Sequence, residues 1–171
     1  MSYNADGMLA VERKSNPFIR SPTGGRVLSA MMLPYFMVRP PVGFGVLTTT
    51  GRRTGKTRRK CIHAVHSGSC AYVVMIKPFI DARVSAWVLN IRADPNVTLR
   101  MQGGTFAGRA RELDDEEELR QARELYCGAV NRFDYMECTF HRGLWPTRSK
   151  IEELHRAWFD TGIPLVVELG D

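Results

Sequence analysis

Between Gly45 and His66 the chain reads GVLTTTGRRTGKTRRKCIHAVH, and this stretch constrains the fold more than any other. Apolar and β-branched residues flank Gly51-Arg52-Arg53-Thr54-Gly55-Lys56, which predicts two strands joined by a short corner, with a glycine at each end where hairpin corners need positive φ. Six of the nine residues from Arg52 to Lys60 are cationic. The corner and the root of the returning strand therefore form one dense positive surface.

Period-two alternation sorts the returning strand. Arg58, Lys60, Ile62 and Ala64 point one way, and Arg59, Cys61, His63 and Val65 the other. Both faces begin charged and become apolar, the pattern of a binding mouth whose outer end meets a polar tail and whose inner end meets something flatter. Composition alone leaves a second reading open, a solvated edge hairpin kept soluble by Lys and Arg.

A chain of 171 residues fits one domain with a real core. Hydrophobic content of 44% and charged content of 25% are ordinary for a globular protein. A formal charge of +6 favours anionic partners, whether nucleic acid, an acidic membrane surface or a phosphorylated cofactor. Nucleic acid is the weakest of these, since no aromatic residue interleaves with the cations from Arg52 to Lys60 to stack on bases. Cys61, Cys70, Cys127 and Cys138 are scattered without a C-x-x-C pair, so neither a disulfide scaffold nor a zinc knuckle is expected. His63 and His66 would fall on opposite faces of one strand, and no metal is expected. The first residues lack a charged segment leading into an apolar one, which makes cytoplasmic residence the expectation.

Taken in order, the chain opens on a polar arm to about residue 25, punctuated by Pro17, Pro22 and Gly24-Gly25. VLSAMMLPYFMV, from Val27 to Val38, is too short to span a bilayer, which takes ~20 apolar residues. It is expected as a helix buried on the sheet and bent at Pro34, with an interfacial, membrane-touching helix as the minority reading. Beyond the hairpin, Ala71 to Ile76 predicts a buried strand ending on Lys77, Ala82 to Ala93 a short helix with Val84, Trp87, Val88 and Ile91 inward, and Asn96 to Met101 with Thr105 to Glu112 a second hairpin. Asp114-Asp115 start a helix whose apolar face is Leu119, Ala122, Leu125, Tyr126 and Ala129. Ser149 to Glu152 has capping-box spacing ahead of Ile151, Leu154 and Trp158, and Leu165 to Leu169 is a last strand. Strands in hairpins with helices between them, and no repeated βαβ unit, indicate an α+β antiparallel barrel with peripheral helices.

The order VLTTTGRRTGKTR, then Val73 to Lys77, Trp87, and Ala93-Asp94-Pro95-Asn96-Val97 resembles the deazaflavin-dependent nitroreductase and quinone reductase family, and Gly162-Ile163-Pro164-Leu165-Val166-Val167 resembles its closing strand. The likeness runs from about residue 25 to the end. It implies an FMN-binding-like split β-barrel that takes coenzyme F-420, an 8-hydroxy-5-deazaflavin with a phosphodiester and an oligoglutamate tail. The implied reaction is hydride transfer to a quinone-like or nitroaromatic acceptor.

By the same resemblance Arg52, Arg53, Thr54 and Arg58 match the motif for phosphate and tail, and Lys77 the lysine at the strand end. Trp87 falls near the substrate side, and Tyr126 and Tyr135 are candidate proton donors. Lys60-Cys61 stands where the family sets Asn or Thr before Pro beside the ring, and Pro78-Phe79 replaces a glycine pair, which places Lys60 and Cys61 against the cofactor and Phe79 over the ring or its seat. A helical insertion at about 138–160 is expected over the substrate entrance. The alternative function is a cofactor-less relative that binds lipid and touches the membrane.

Overall fold

In a computed structural model, residues 22–77, 83–143 and 145–170 are described. Six strands close an antiparallel barrel in the order β1-β2-β3-β6-β5-β4, with β4 returning to β1. They are β1 (Phe44–Thr50), β2 (Thr57–Ser67), β3 (Cys70–Met75), β4 (Asn96–Met101), β5 (Gly104–Glu112) and β6 (Ile163–Leu169). The expected hairpin is β1–β2, in register from Phe44↔His63 to Thr50↔Thr57. Inside the barrel, Leu47, Ile62, Ala64, Val73, Met75, Leu99, Leu165 and Val167 meet in one buried cluster.

Among the described residues five helices lie outside: α1 (Pro22–Val38), α2 (Ala86–Ala93), α3 (Glu116–Gly128), α4 (Arg132–Arg142) and α5 (Arg148–Thr161). α2 turns Val88 and Ile91 into the barrel cluster, with Val84 and Trp87 packed beside them. α3 and α5 cover the outer faces of β2, β3 and β6, where Val65, Val74 and Val166 meet Ala122, Tyr126 and Phe159. α1 covers the other outer side through Phe36, which packs on Phe44 and Val46.

β2 is longer than its partners. It pairs with β3 only from Ala64 to Ser67, so between Thr57 and His63 no strand of the described residues lies beside the edge away from β1. α1 stands there instead. Ser29 Oγ accepts from the Cys61 backbone N–H at 3.1 Å, which satisfies an amide that the barrel leaves open.

Several expectations need correction. Helix α1 already begins at Pro22, inside the stretch read as an arm; residues 1–21 lie outside the described residues. It runs unbroken through Pro34, which is exposed. It is also only half buried, because Val27, Met31, Tyr35 and Val38 recur at helical spacing on its outward face, with Met31 74% and Val38 79% exposed. On α3, Leu125 faces solvent. α5 is capped by Thr147, whose hydroxyl accepts from Lys150 N, rather than by Ser149. The helix of the expected insertion is α5, and ahead of it stands a further helix, α4, that the apolar periodicity did not show.

Candidate functional site

Backbone bonds close the β1–β2 corner. Gly51 N–H donates to Lys56 O at 2.9 Å, while the N–H groups of Thr54 and Gly55 both donate to Gly51 O. Gly55 has φ +63°, the left-handed conformation that glycine adopts without steric cost. Thr54 Oγ1 accepts from Lys56 N at 3.4 Å and stands 3.5 Å from Arg58 Nη2. With the main chain and Thr54 satisfied among themselves, the side chains of Arg52, Arg53, Lys56 and Arg58 are left exposed.

Away from the corner several arginines are ion-paired, Arg92 with Glu112, Arg111 with Glu118 and Glu168, Arg120 with Glu117, Arg123 with Asp160, Arg142 with Glu153, and Arg148 with Glu152, while others such as Arg59 and Arg109 have no carboxylate partner among the described residues. Among the described residues no carboxylate pairs with Arg52, Arg53, Lys56 or Arg58. Four like charges on one corner repel one another, and an external anion relieves that repulsion. Lys77 is exposed at the exit of β3. Phe79, expected near the ring, lies outside the described residues together with Pro78.

A residue that sequence reasoning missed holds this corner to the barrel. Asn90, buried on α2, accepts from Arg52 N through Oδ1 at 3.2 Å and donates from Nδ2 to Thr49 Oγ1 at 3.2 Å. One buried amide thus ties α2 to both strand and corner. Its signal was faint, a lone polar residue on the inward side of an apolar helix. Trp87, also on α2, is half-buried against the barrel core.

Lys60 and Cys61 are engaged with α1. Lys60 Nζ donates to Gly25 O at 3.1 Å, and burial lowers its pKa from the ordinary lysine value. The Cys61 thiol stands 3.6 Å from Ser29 O, and burial raises its pKa. Both side chains fasten the helix over the open edge of β2, so the structure gives their polar atoms to α1 where the sequence reading gave them to the cofactor.

The two tyrosines separate. Tyr126 is 0% exposed, sealed among His63, His155 and Phe159, and burial raises its pKa well above the phenol value. It has no route to a substrate, which corrects its assignment as a proton donor. Tyr135, on α4, keeps an exposed side chain. The start of α4 is anchored where Phe133 meets Phe36 and Phe44, at the end of the hairpin opposite the basic corner. Six residue steps along β1 lead from Phe44 to Thr50, so the two ends lie about 20 Å apart.

Behind the outer face of β2 lies a polar cluster that sequence reasoning also missed. His63, Asp134 and His155 are buried together, with Tyr126 and Glu137 beside them. Burial, with His63 adding to it, pushes His155 down to about 3. Burial and the Asp134 charge push Glu137 up to about 8.

The family model for F-420H(2)-dependent quinone reductase matches residues 36–141, more than half of the chain. The chain belongs to this family. As a member of the F-420H(2)-dependent quinone reductases it is an oxidoreductase, and its cofactor is coenzyme F-420. Two solved structures agree in fold. One, described as an F-420-H2 dependent reductase (FDR-A), is 23% identical with a TM-score of 0.50, over 74% of this chain and 95% of that one. The other, described as a domain-swapped dimer, is 23% identical with a TM-score of 0.52, over 86% of this chain and 100% of that one.

The residues present fit such a cofactor. A phosphodiester and a string of carboxylates call for several unmatched cations on an exposed, rigid corner, and the reductase presents them on Arg52, Arg53, Lys56 and Arg58. Guanidinium groups bind such oxygens in pairs, with two parallel N–H donors each.

Proposed function

We propose that this reductase holds the anionic tail of coenzyme F-420 on Arg52, Arg53, Thr54, Arg58 and Lys77 and reduces a lipophilic quinone. The observation that carries the tail site is the clustering of four exposed cations, none with a carboxylate partner among the described residues, on one corner fixed by its own backbone hydrogen bonds. Thr54 acts by shaping the corner: its hydroxyl engages Lys56 N and Arg58, which limits the directions the guanidinium can take. Lys60 and Cys61 act at one remove, by pinning α1 over the open edge of β2. When bound in reduced form, the deazaflavin supplies the hydride. Tyr135, exposed on α4 toward the inner end of the hairpin, is assigned the proton that a reduced quinone oxygen takes up, as a phenol with access to solvent can deliver it and then recover it. Trp87 lines the substrate side through the half of its ring that the barrel core leaves uncovered.

Two observations favour a quinone over a nitroaromatic acceptor. The family is named for quinones. In addition, α1 carries the outward stripe of Val27, Met31, Tyr35 and Val38 between Arg26 and Arg39, an amphipathic surface suited to the headgroup layer of a membrane in which a quinone dissolves. No described helix is long and apolar enough to cross a bilayer, so the contact is peripheral. The same stripe favours the second reading, a lipid-binding relative without turnover.

Fluorescence titration of the purified protein with coenzyme F-420, followed by mixing with a quinone and with a nitroaromatic compound, tests the proposal. Saturable binding with faster oxidation by the quinone supports it. Absence of binding at any tail length would overturn it and leave lipid binding.

A further inference from the structure

The outer side of β2 carries buried chemistry that the reductase reaction does not use. His63 on β2, Asp134 on α4 and His155 on α5 each offer one ligating atom within 4.8 Å of the other two, and all three residues are buried. His63 Nε2 stands 3.3 Å from Asp134 Oδ1. The other carboxylate oxygen of Asp134 is committed, since it accepts from Asn131 N at the start of α4. Among the described residues, His63 Nδ1, His155 Nδ1 and the Tyr126 hydroxyl lack a hydrogen-bond partner, and His63 Nε2 and Asp134 Oδ1 have only their ion-pair contact with each other. Glu137 Oε2 lacks one too.

Each such group, left unsatisfied, costs stability. Native proteins keep few buried polar atoms without partners, and a concentration of them at one point calls for a ligand. Two imidazoles and a carboxylate aimed at a common point share one property, a lone pair from each that a single cation can accept.

We propose that His63, Asp134 and His155 form a structural site for a divalent transition metal, zinc by its ligand set, with Tyr126 or Glu137 completing the coordination. Zinc accepts imidazole nitrogen and carboxylate oxygen in tetrahedral sites at about 2.0–2.2 Å, so the side chains close inward by roughly an ångström to bind it. His63, Asp134 and His155 are all buried, which suits a closed structural site. The ligands come from three elements, and the ion would bolt α4 and α5 onto β2. The expectation of no metal came from spacing along the chain, which cannot see residues that only folding brings together. The site is independent of the cofactor reading, because His63 lies on the face of β2 opposite Ile62 and Ala64.

Untagged full-length protein, purified without chelator, is analysed by inductively coupled plasma mass spectrometry. After dialysis against chelator it is remelted with Zn2+ added, and its visible spectrum is recorded with Co2+. The expected results are about one metal per chain, a Tm raised by about 5–10 °C at saturating Zn2+, and d–d bands from bound Co2+. His155→Phe and Asp134→Asn should lose uptake, the bands and the Tm shift, while His66→Ala, exposed near the end of β2 on the strand face opposite His63, should keep all three. Wild-type protein that carries no metal and whose Tm does not respond to Zn2+, Co2+ or Fe2+ overturns the site, whatever the variants do. So does a pattern in which His66→Ala abolishes uptake and His155→Phe preserves it.

Discussion

The side-chain carbonyl of Asn90 accepts the backbone N–H of Arg52 at 3.2 Å, while its amide donates to Thr49 at the same distance. The orientation of the basic corner thus depends on a helix that carries none of its charges. Asn90→Leu should lower stability by about 1–3 kcal/mol, the cost of leaving buried partners unsatisfied. It should also weaken coenzyme F-420 binding without removing any contact to it. Urea unfolding and fluorescence titration measure the two effects, and an unchanged affinity would mean that the corner holds its shape unaided.

Arg52→Ala and Arg58→Ala should each weaken cofactor binding by about 1.5–3 kcal/mol, the range for hydrogen bonds to charged groups. Affinity should fall as salt is added, because the corner is exposed and a Debye length at physiological ionic strength is only about 8 Å. Both variants should melt with the wild type, since neither side chain is ion-paired in the fold. An unaltered Kd in the double variant places the tail elsewhere.

The outward face of α1 can be separated from its inward face. Met31→Gln with Val38→Gln should slow reduction of a long-chain quinone held in anionic vesicles and leave the rate with a short, water-soluble quinone unchanged. Equal loss on both substrates would point to damage at the active site instead of at a membrane contact.

Phe36→Ala tests the inward face. Phe36 is 1% exposed and its ring meets those of Phe44 and Phe133. Truncating such a side chain costs about 3–5 kcal/mol. For a chain of this size that corresponds to a Tm lower by roughly 6–20 °C in calorimetry. A change within a degree or two would show that α1 is only loosely held.

Thiol reactivity should follow burial. Cys127 is buried and its pKa is pushed up to about 11 by that burial. The thiolate is the nucleophile, so at pH 8 a thiol reagent should modify Cys127 only as fast as the protein opens, and raising the pH toward 10 should speed that modification. Peptide mapping after timed labelling checks the order, and rapid modification of native protein at pH 8 would contradict it.

How legible the fold was depended on where the apolar residues point. The β1–β2 hairpin and the barrel strands could be read because alternation and glycine punctuation agree with tertiary packing there. α4 could not. Its buried residues are Asp134, Cys138 and His141, while Tyr135, Met136 and Phe140 face outward, so its apolar pattern marks the wrong side. α1 was misjudged for a related reason: a run that is apolar all round has no face to read, and only the structure shows Phe36 inward and Met31 outward. At the candidate site the charges of the corner were visible in the sequence. Their clamp was not, because Asn90 and Arg52 are joined only after α2 docks. Tyr126 and Tyr135 looked alike in sequence, and burial alone distinguishes them.

The unpaired stretch of β2 from Thr57 to His63 makes α1 a guard against self-association. A row of strand amides and carbonyls without a neighbour is a template for a strand from another molecule, and here Ser29 already occupies one of its donors. A reductase shortened past Val38 would present that row bare beside the exposed rings and aliphatic side chains that Phe36 now covers. Its copies would then find in one another the strand that each barrel lacks.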